Sequence, residues 1–397
     1  MIRAMPSKTE PDPFSWPDTE SFRIESVTVE VYRYPITEAV QTAFGRMEDR
    51  PALIVRVTDE DGRSGLGEVW CNFPSQAAAH RFALLTEVLA PAIVGRYWRG
   101  PAAVFDYLTR RFRLLGLQAG EIGPFNHCVA GIDVALWDLS ARRIGKPLWR
   151  LLGGEGNGVV LAYASGIGPD NPVDLACHAE ADGHRAFKLK VGFEASKDLS
   201  NLRKLRAALG SETAIAVDAN QAWSPSEAEQ MIGALAPYSP VWVEEPLPAD
   251  SPASDWDKLA ARSPIPLAGG ENLYGFSAFD EAIRVEAWAV IQPDLTKWGG
   301  ITGCLPIARR ILAAGRRFCP HHLGAGVGLV ASAHLLATAG GDGLLEIDTN
   351  PNPLRTELVQ PYPRMAEGRL RLGEASGLGV TLTTSLEPFR VSSTTVR

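Results

Sequence analysis

Cysteine is scarce: the 397 residues hold five, Cys71, Cys128, Cys177, Cys304 and Cys319. The number is odd, the spacing is irregular and no CxxC occurs. This excludes a disulfide frame and a structural zinc, and it predicts a reducing, cytoplasmic setting. No apolar run approaches the roughly 20 residues of a membrane span, so no membrane is expected. No long basic run occurs and the formal net charge is −7, so nucleic acid has no electrostatic footprint here. The stretch from Met1 to Glu20 lacks the apolar segment of a signal peptide. Polar and Pro-rich, it reads as a disordered lead-in.

What is present is a large apolar fraction, 45% of the chain, enough for an extensive core. Residues Phe22 to Pro35 and Ala52 to Val57 have strand composition, and Asp59-Glu60-Asp61-Gly62 reads as a hairpin turn. Helical patterns follow over Gln76–Ala92, Pro101–Leu115 and Ala130–Arg143. Strands first and helices after them predict an α+β domain over residues 21–150. Beyond Gly153-Gly154 short apolar runs alternate with helical stretches. They lie at Val160–Ser165, Ala186–Val191, Ala214–Asp218, Val241–Glu244, Pro266–Gly270, Ala289–Pro293, Arg317–Pro320 and Leu344–Ile347. Eight such units predict a β/α barrel over residues 151–350. A Rossmann-like sheet competes with it, but no GxGxxG follows the first strand. The tail, 351–397, is expected to pack back on the first domain.

Polar residues sit at the ends of these strands, and in a barrel all strand C-termini meet at one mouth. Asp218, Glu244 and Glu271 end three successive strands. Two unit charges 4 Å apart at an effective dielectric near 20 repel by about 4 kcal/mol, so three clustered acids call for a cation. An all-oxygen set suits Mg²⁺. Lys188 and Lys190 alternate onto one strand face, which would be the interior. A lysine near a metal and a second lysine can act as a base near neutral pH. Asp294 and either His321 or His322 offer a carboxylate–imidazole pair. Taken singly, each of these has a bland reading as a solvated loop charge or a core histidine. The strength lies in their joint placement at consecutive strand ends.

In this arrangement the chain resembles the enolase superfamily, mandelate racemase group. The similarity runs through AGIDVALWD (Ala130 to Asp138), Gly145-Lys-Pro147-Leu to Leu152-Gly-Gly154, KxK at Lys188 and Lys190, and DxNxxW at Asp218, Asn220 and Trp223. It continues through EEP at Glu244, GEN at Glu271 and PDxxKxGG at Asp294. It covers nearly the whole chain after the first twenty residues. The resemblance implies an α/β protein: a modified (β/α)8 TIM-like barrel with an α+β N-terminal capping domain completed by the C-terminal tail. It implies one Mg²⁺ per active site, held by Asp218, Glu244 and Glu271. Lys190 would be the base on one face of the substrate α-carbon, and Lys188 would help neutralise its carboxylate. His321, oriented by Asp294, would act on the opposite face; their 27-residue separation matches the family dyad and favours His321 over His322. Glu346 would be a neutral carboxyl donor to the developing enolate. Asn220, Lys297 and His322 are further candidates around the substrate.

The implied chemistry is abstraction of the α-proton of a small carboxylate through an enolate. The segment Gly324-Ala-Gly-Val-Gly328 is more like the acid-sugar dehydratases, so dehydration of an aldonate or aldarate to a 2-keto-3-deoxy acid is the first expectation. A racemase or epimerase of a 2-hydroxy acid is the second, because bases stand on both faces. Lactone-forming chemistry and a catalytically silent barrel used for binding are weaker alternatives. Specificity is expected from the capping domain, from Thr42 to Arg50 and from Trp70 to Phe73, with Arg46 or Arg50 meeting a distal polar group and Trp70 at the rim. The resemblance also implies a homo-oligomer, dimer to octamer.

Overall fold

A computed structural model of the chain describes residues 16–41, 45–285 and 287–397. Residues 1–15 of the expected lead-in lie outside the described residues, and so do 42–44 of the expected specificity segment. Trp16, assigned to that lead-in, rests against Trp137 with ring centroids 5.0 Å apart.

The N-terminal part is an antiparallel meander of β1 (Phe22–Gln41), β2 (Arg46–Asp59) and β3 (Ser64–Val69). The turn between β2 and β3 is held by Asp59, whose Oδ1 accepts from the Asp61 and Arg63 N–H groups at 3.0 and 2.8 Å. That is why an Asp opens it: its side chain replaces a backbone acceptor. A short β4 (Tyr97–Trp98) pairs with the start of β1. Helices Pro101–Ala119 and Ile122–Ile144 complete this domain. The second begins eight residues before the expected Ala130 and packs directly on β3. The approach is so close that a Cβ at Gly65 or Gly67 would run into the backbone of Ala135 or Gly131. Glycine there sets the distance between sheet and helix.

The expected eight parallel strands follow: β5 (Val159–Ile167), β6 (Ala186–Lys190), β7 (Ala214–Asp218), β8 (Val243–Glu244), β9 (Leu267–Gly269), β10 (Val290–Ile291), β11 (Arg317–Phe318) and β12 (Leu344–Asp348). They pair in sequence order from β5 to β11, and β12 returns to pair parallel with β5. Between β11 and β12 the described residues form no backbone ladder; the Leu344 N–H points at Cys319 Sγ, 3.3 Å away. The interior is packed by Tyr163, Ala216, Trp242, Ala268, Val290, Cys319 and Leu344. Alternation then sends Phe187 and Leu189 outward into the helix layer and leaves Lys188 inside.

The tail has two destinations. β13 (Val359–Gln360) pairs with β16 (Thr381–Leu382), while β14 (Met365–Ala366) and β15 (Arg369–Arg371) form a hairpin that adds antiparallel to β5. The last strand, β17 (Arg390–Val396), reaches the N-terminal sheet and pairs antiparallel with β1. Among the described residues no helix is long and apolar enough to cross a membrane.

Candidate active site

The strand ends bring a dense set of charges together. Lys188 is fully buried; its Nζ meets Glu244, Glu346 Oε1 at 2.8 Å and Asp218 Oδ2 at 3.5 Å. Lys190 Nζ lies 2.5 Å from Asp218 Oδ2. Burial alone would lower the proton affinity of both lysines. The surrounding carboxylates outweigh it, holding Lys188 well above the ordinary lysine range and raising Lys190, the latter chiefly through Asp218. Glu244 also accepts from Trp242 Nε1 at 3.2 Å and Gln292 Nε2 at 2.6 Å, yet burial lifts its carboxyl to about 7.

On the other side, His321 Nδ1 and Asp294 Oδ2 are 2.7 Å apart, and His321 Nε2 lies 2.9 Å from Glu271 Oε2. Asp294 is further fixed by the Thr296 hydroxyl and N–H, both at 2.7 Å. Burial disfavours charge on both partners, but the mutual contact lowers Asp294 to about 2, and Glu271, Glu346 and Asp294 raise His321 well above 6.5. His322 stands apart from the dyad. Its Nε2 lies 3.1 Å from the Ala325 carbonyl, and its backbone N–H donates to Glu346 Oε2 at 3.3 Å. Lys297 Nζ bridges Glu271 Oε1 at 2.8 Å and Asn272 Oδ1 at 3.1 Å, and lies 4.9 Å from the Trp70 ring centroid. Asn220 stays beside Asp218, donating its backbone N–H at 2.8 Å and its Nδ2 at 3.3 Å.

Two family models match the sequence: the Mandelate racemase / muconate lactonizing enzyme N-terminal domain over residues 23–153 and the Enolase C-terminal domain-like model over 173–386. The chain belongs to the mandelate racemase / muconate lactonizing enzyme family. It is an enzyme of the enolase superfamily. A solved mandelate racemase/muconate lactonizing enzyme from Bordetella bronchiseptica is 48% identical, with a TM-score of 0.88 over 93% of this chain and 99% of its own. The 3,6-anhydro-alpha-L-galactonate cycloisomerase of Streptomyces coelicolor is 33% identical over 70% of this chain and 77% of its own. The L-talarate dehydratase of a Polaromonas species, solved with Mg and L-glucarate, is 27% identical with a TM-score of 0.80, covering 95% and 99% of the two chains.

Within this enolase-superfamily site, Glu346, Arg46 and Arg50 differ in what surrounds them. Glu346, expected as a neutral donor to the enolate, is surrounded by donors: Ser165 Oγ at 2.5 Å, Lys188 at 2.8 Å and the His322 N–H. Burial works against its charge, but Lys188 and His321 hold the carboxyl below its usual range. Arg46 is on the outside, its side chain 65% exposed and 3.8 Å from Glu48. Arg50 is buried instead, pairing with Asp348 at 3.1 Å and donating to the Pro351 carbonyl, so it ties β2 to the end of β12.

Two acids escaped the sequence reading. Glu245 follows Glu244; its Oε2 is buried without a hydrogen-bond partner, and burial with Glu271 and Asp218 raises it to about 8. Glu68, at the end of β3, is buried and accepts from the Ala325 N–H at 2.6 Å and the Gly328 N–H at 2.7 Å. A Cβ at Gly324 or Gly328 would strike His322 or Glu68, which explains the glycines of this turn. An acid closing an otherwise apolar, glycine-spaced strand was the available signal.

Among the described residues no three acid, His or Cys side chains already stand at metal-binding spacing; Asp218, Glu244 and Glu271 each lean on a lysine or histidine. The donor set is nevertheless all oxygen, and the orphaned Glu245 oxygen adjoins Asp218 and Glu271, which suits a hard divalent cation.

Proposed function

We propose that this enzyme removes the α-proton of an acid-sugar carboxylate and expels the β-hydroxyl, giving a 2-keto-3-deoxy acid. Asp218, Glu244 and Glu271 would hold one Mg²⁺. Bound there, the ion would supply positive charge at the substrate carboxylate, where the negative charge of the enolate develops. The observation that carries the reading is the Asp294–His321 pair, set across the strand-end acids from Lys188 and Lys190.

Lys190 is the base. It comes from the second barrel strand, while His321 comes from the seventh, so the two approach a substrate from different sides. Lys188 sets its charge toward the substrate carboxylate and is itself held by Glu346. Asp294 fixes the proton on His321 Nδ1, which leaves Nε2 as the nitrogen that faces the mouth. A histidine kept protonated by Asp294 can give that proton to a departing hydroxyl, which otherwise leaves poorly. Lys297 and Asn220 steady Glu271 and Asp218. Solved relatives bind acid-sugar ligands with Mg, which supports the same substrate class here.

One observation also favours a second reading, racemisation or epimerisation of a 2-hydroxy acid: both Lys190 and His321 are proton-transfer groups. The test is incubation with Mg²⁺ in D₂O across a panel of mono- and diacid sugars, read by proton NMR and a 2-keto acid assay. Ketone formation establishes dehydration. Deuterium at Cα without ketone selects the second reading, and no exchange on any acid removes both.

A further inference from the structure

Where the capping domain meets the barrel, some buried hydrogen-bond donors have no anionic partner among the described residues. Arg81, on the helix Ala77–Ala83, is only 5% exposed. Among the described residues no carboxylate lies within ion-pair distance of it. Its Nε–H donates to His127 Nδ1 at 3.2 Å and its Nη1 to the Ala77 carbonyl at 3.4 Å. A buried guanidinium without an anion is costly, and burial lowers its proton affinity.

The contact also sets a direction. Arginine can only donate, so His127 Nδ1 must accept. A neutral imidazole then carries its proton on Nε2 and donates it to Tyr274 Oη, 3.0 Å away. Burial and Arg81 keep His127 neutral, well below its ordinary range. With its oxygen accepting from His127, Tyr274 has its own hydroxyl proton left to give. Trp70 lies beside this relay, its ring centroid 5.2 Å from that of His127, and its Nε1–H is buried without a partner. Arg81 Cζ lies 6.0 Å from the centroid of the Trp70 ring, and Lys297 Nζ lies 4.9 Å from it. Lys297 in turn pairs with Glu271. The donor cluster therefore adjoins the proposed catalytic residues.

We infer that Tyr274 Oη–H and Trp70 Nε1–H, backed by Arg81 and Lys297, receive a second carboxylate of the substrate. The preferred substrates are then dicarboxylic acid sugars. A carboxylate brings acceptors only, which is what two unclaimed donors and an unpaired guanidinium lack. This inference rests on the proposed α-proton chemistry and adds the class of substrate.

The test compares matched pairs, galactarate with galactonate and glucarate with gluconate, on the Mg²⁺-loaded enzyme. The expected result is a kcat/KM preference for the diacid of about a hundredfold, since a site built around a polar group rejects the analogue without it. Tyr274→Phe and Trp70→Phe should each shrink that ratio about tenfold, through the KM of the diacid, because each loses one hydrogen bond to a charged group. Both replacements keep the aromatic ring, and thermal melting verifies the fold. Calorimetric binding of the same pairs to His321→Asn reads the subsite without turnover. Equal kcat/KM for the two members of each pair, or a ratio unmoved by both replacements, overturns the inference and leaves the proposed reaction standing. Tighter diacid binding with no exchange on any acid keeps the subsite and removes the reaction. No exchange and no diacid preference in binding removes both.

Discussion

The barrel side and the capping side of this site are built on opposite principles. At the strand ends nearly every ionisable group is answered: Lys188 by Glu244, Glu346 and Asp218, Lys190 by Asp218, and His321 by Asp294 and Glu271. On the capping side, among the described residues, Arg81 has no carboxylate within ion-pair distance and Trp70 Nε1 has no partner. Paired charges would hold the geometry that the proposed proton transfers need. The unpaired donors are, on the inference above, where the second carboxylate would bind. The difference separates a reusable reaction centre from the surface that chooses what reacts.

The sharpest way to break that division is to remove the two proton carriers separately. Lys190→Met should abolish both α-deuterium exchange and product. His321→Asn should suppress product by about 10²–10⁴-fold, the usual worth of general acid–base catalysis, while exchange continues. Loss of exchange in both variants would favour the two-base reading.

Next in size is a pH effect where the barrel meets its surroundings. His334 is fully buried, accepting at Nδ1 from the Trp149 N–H at 3.1 Å, with Nε2 3.2 Å from the Leu378 carbonyl, and burial lowers it to about 4. Its ordinary value is about 6.5, so below that the unfolded chain takes up a proton that the folded chain refuses. The stability this histidine contributes is complete above pH 6.5 and declines as pH falls toward 4, by about 3 kcal/mol in all. Denaturation at pH 7 and pH 4.5 should show a smaller difference in His334→Gln than in the wild type.

Glu68→Gln tests the seam itself. An amide can accept from only one of the two N–H groups that Glu68 serves and places a donor against the other. A loss of about 1.5–3 kcal/mol is expected in urea unfolding, together with slower turnover as the turn after His321 loosens. Unchanged turnover would mean that the capping domain does not position the dyad. At the small end, Arg46→Ala should leave both kinetics and stability unaltered, because the side chain is mostly in solvent.

The barrel was easy to read in the sequence for a physical reason. Strands buried on both faces are short apolar runs, and a charge at the end of such a run stands out. All eight fall where the runs predict, although some ladders are shorter: β8 is only Val243–Glu244 where Val241–Glu244 was expected. Hydrogen bonding extends past that ladder, with the Val241 N–H donating to Ile215 O at 2.9 Å. The capping contribution was harder. Trp70 was marked as a rim residue, but Glu68, Arg81, His127 and Tyr274 come from a strand, two helices and a barrel loop, so no spacing in the chain announces them. Arg46 and Arg50 show the same limit from the other side. Composition marked both as polar candidates, but only packing decides that one meets water and the other Asp348.

The union of β1 with β17 bears on how the molecule is made. Thr28 and Thr395 face each other with their hydroxyl oxygens 2.9 Å apart, yet they are 367 residues apart in the chain. At about 5–20 residues per second of synthesis, β1 leaves the ribosome about 20–70 s before its neighbour exists. During that interval one edge of the sheet stays open to other nascent chains. The barrel can assemble meanwhile, but the sheet over its mouth is finished only when the last strand emerges.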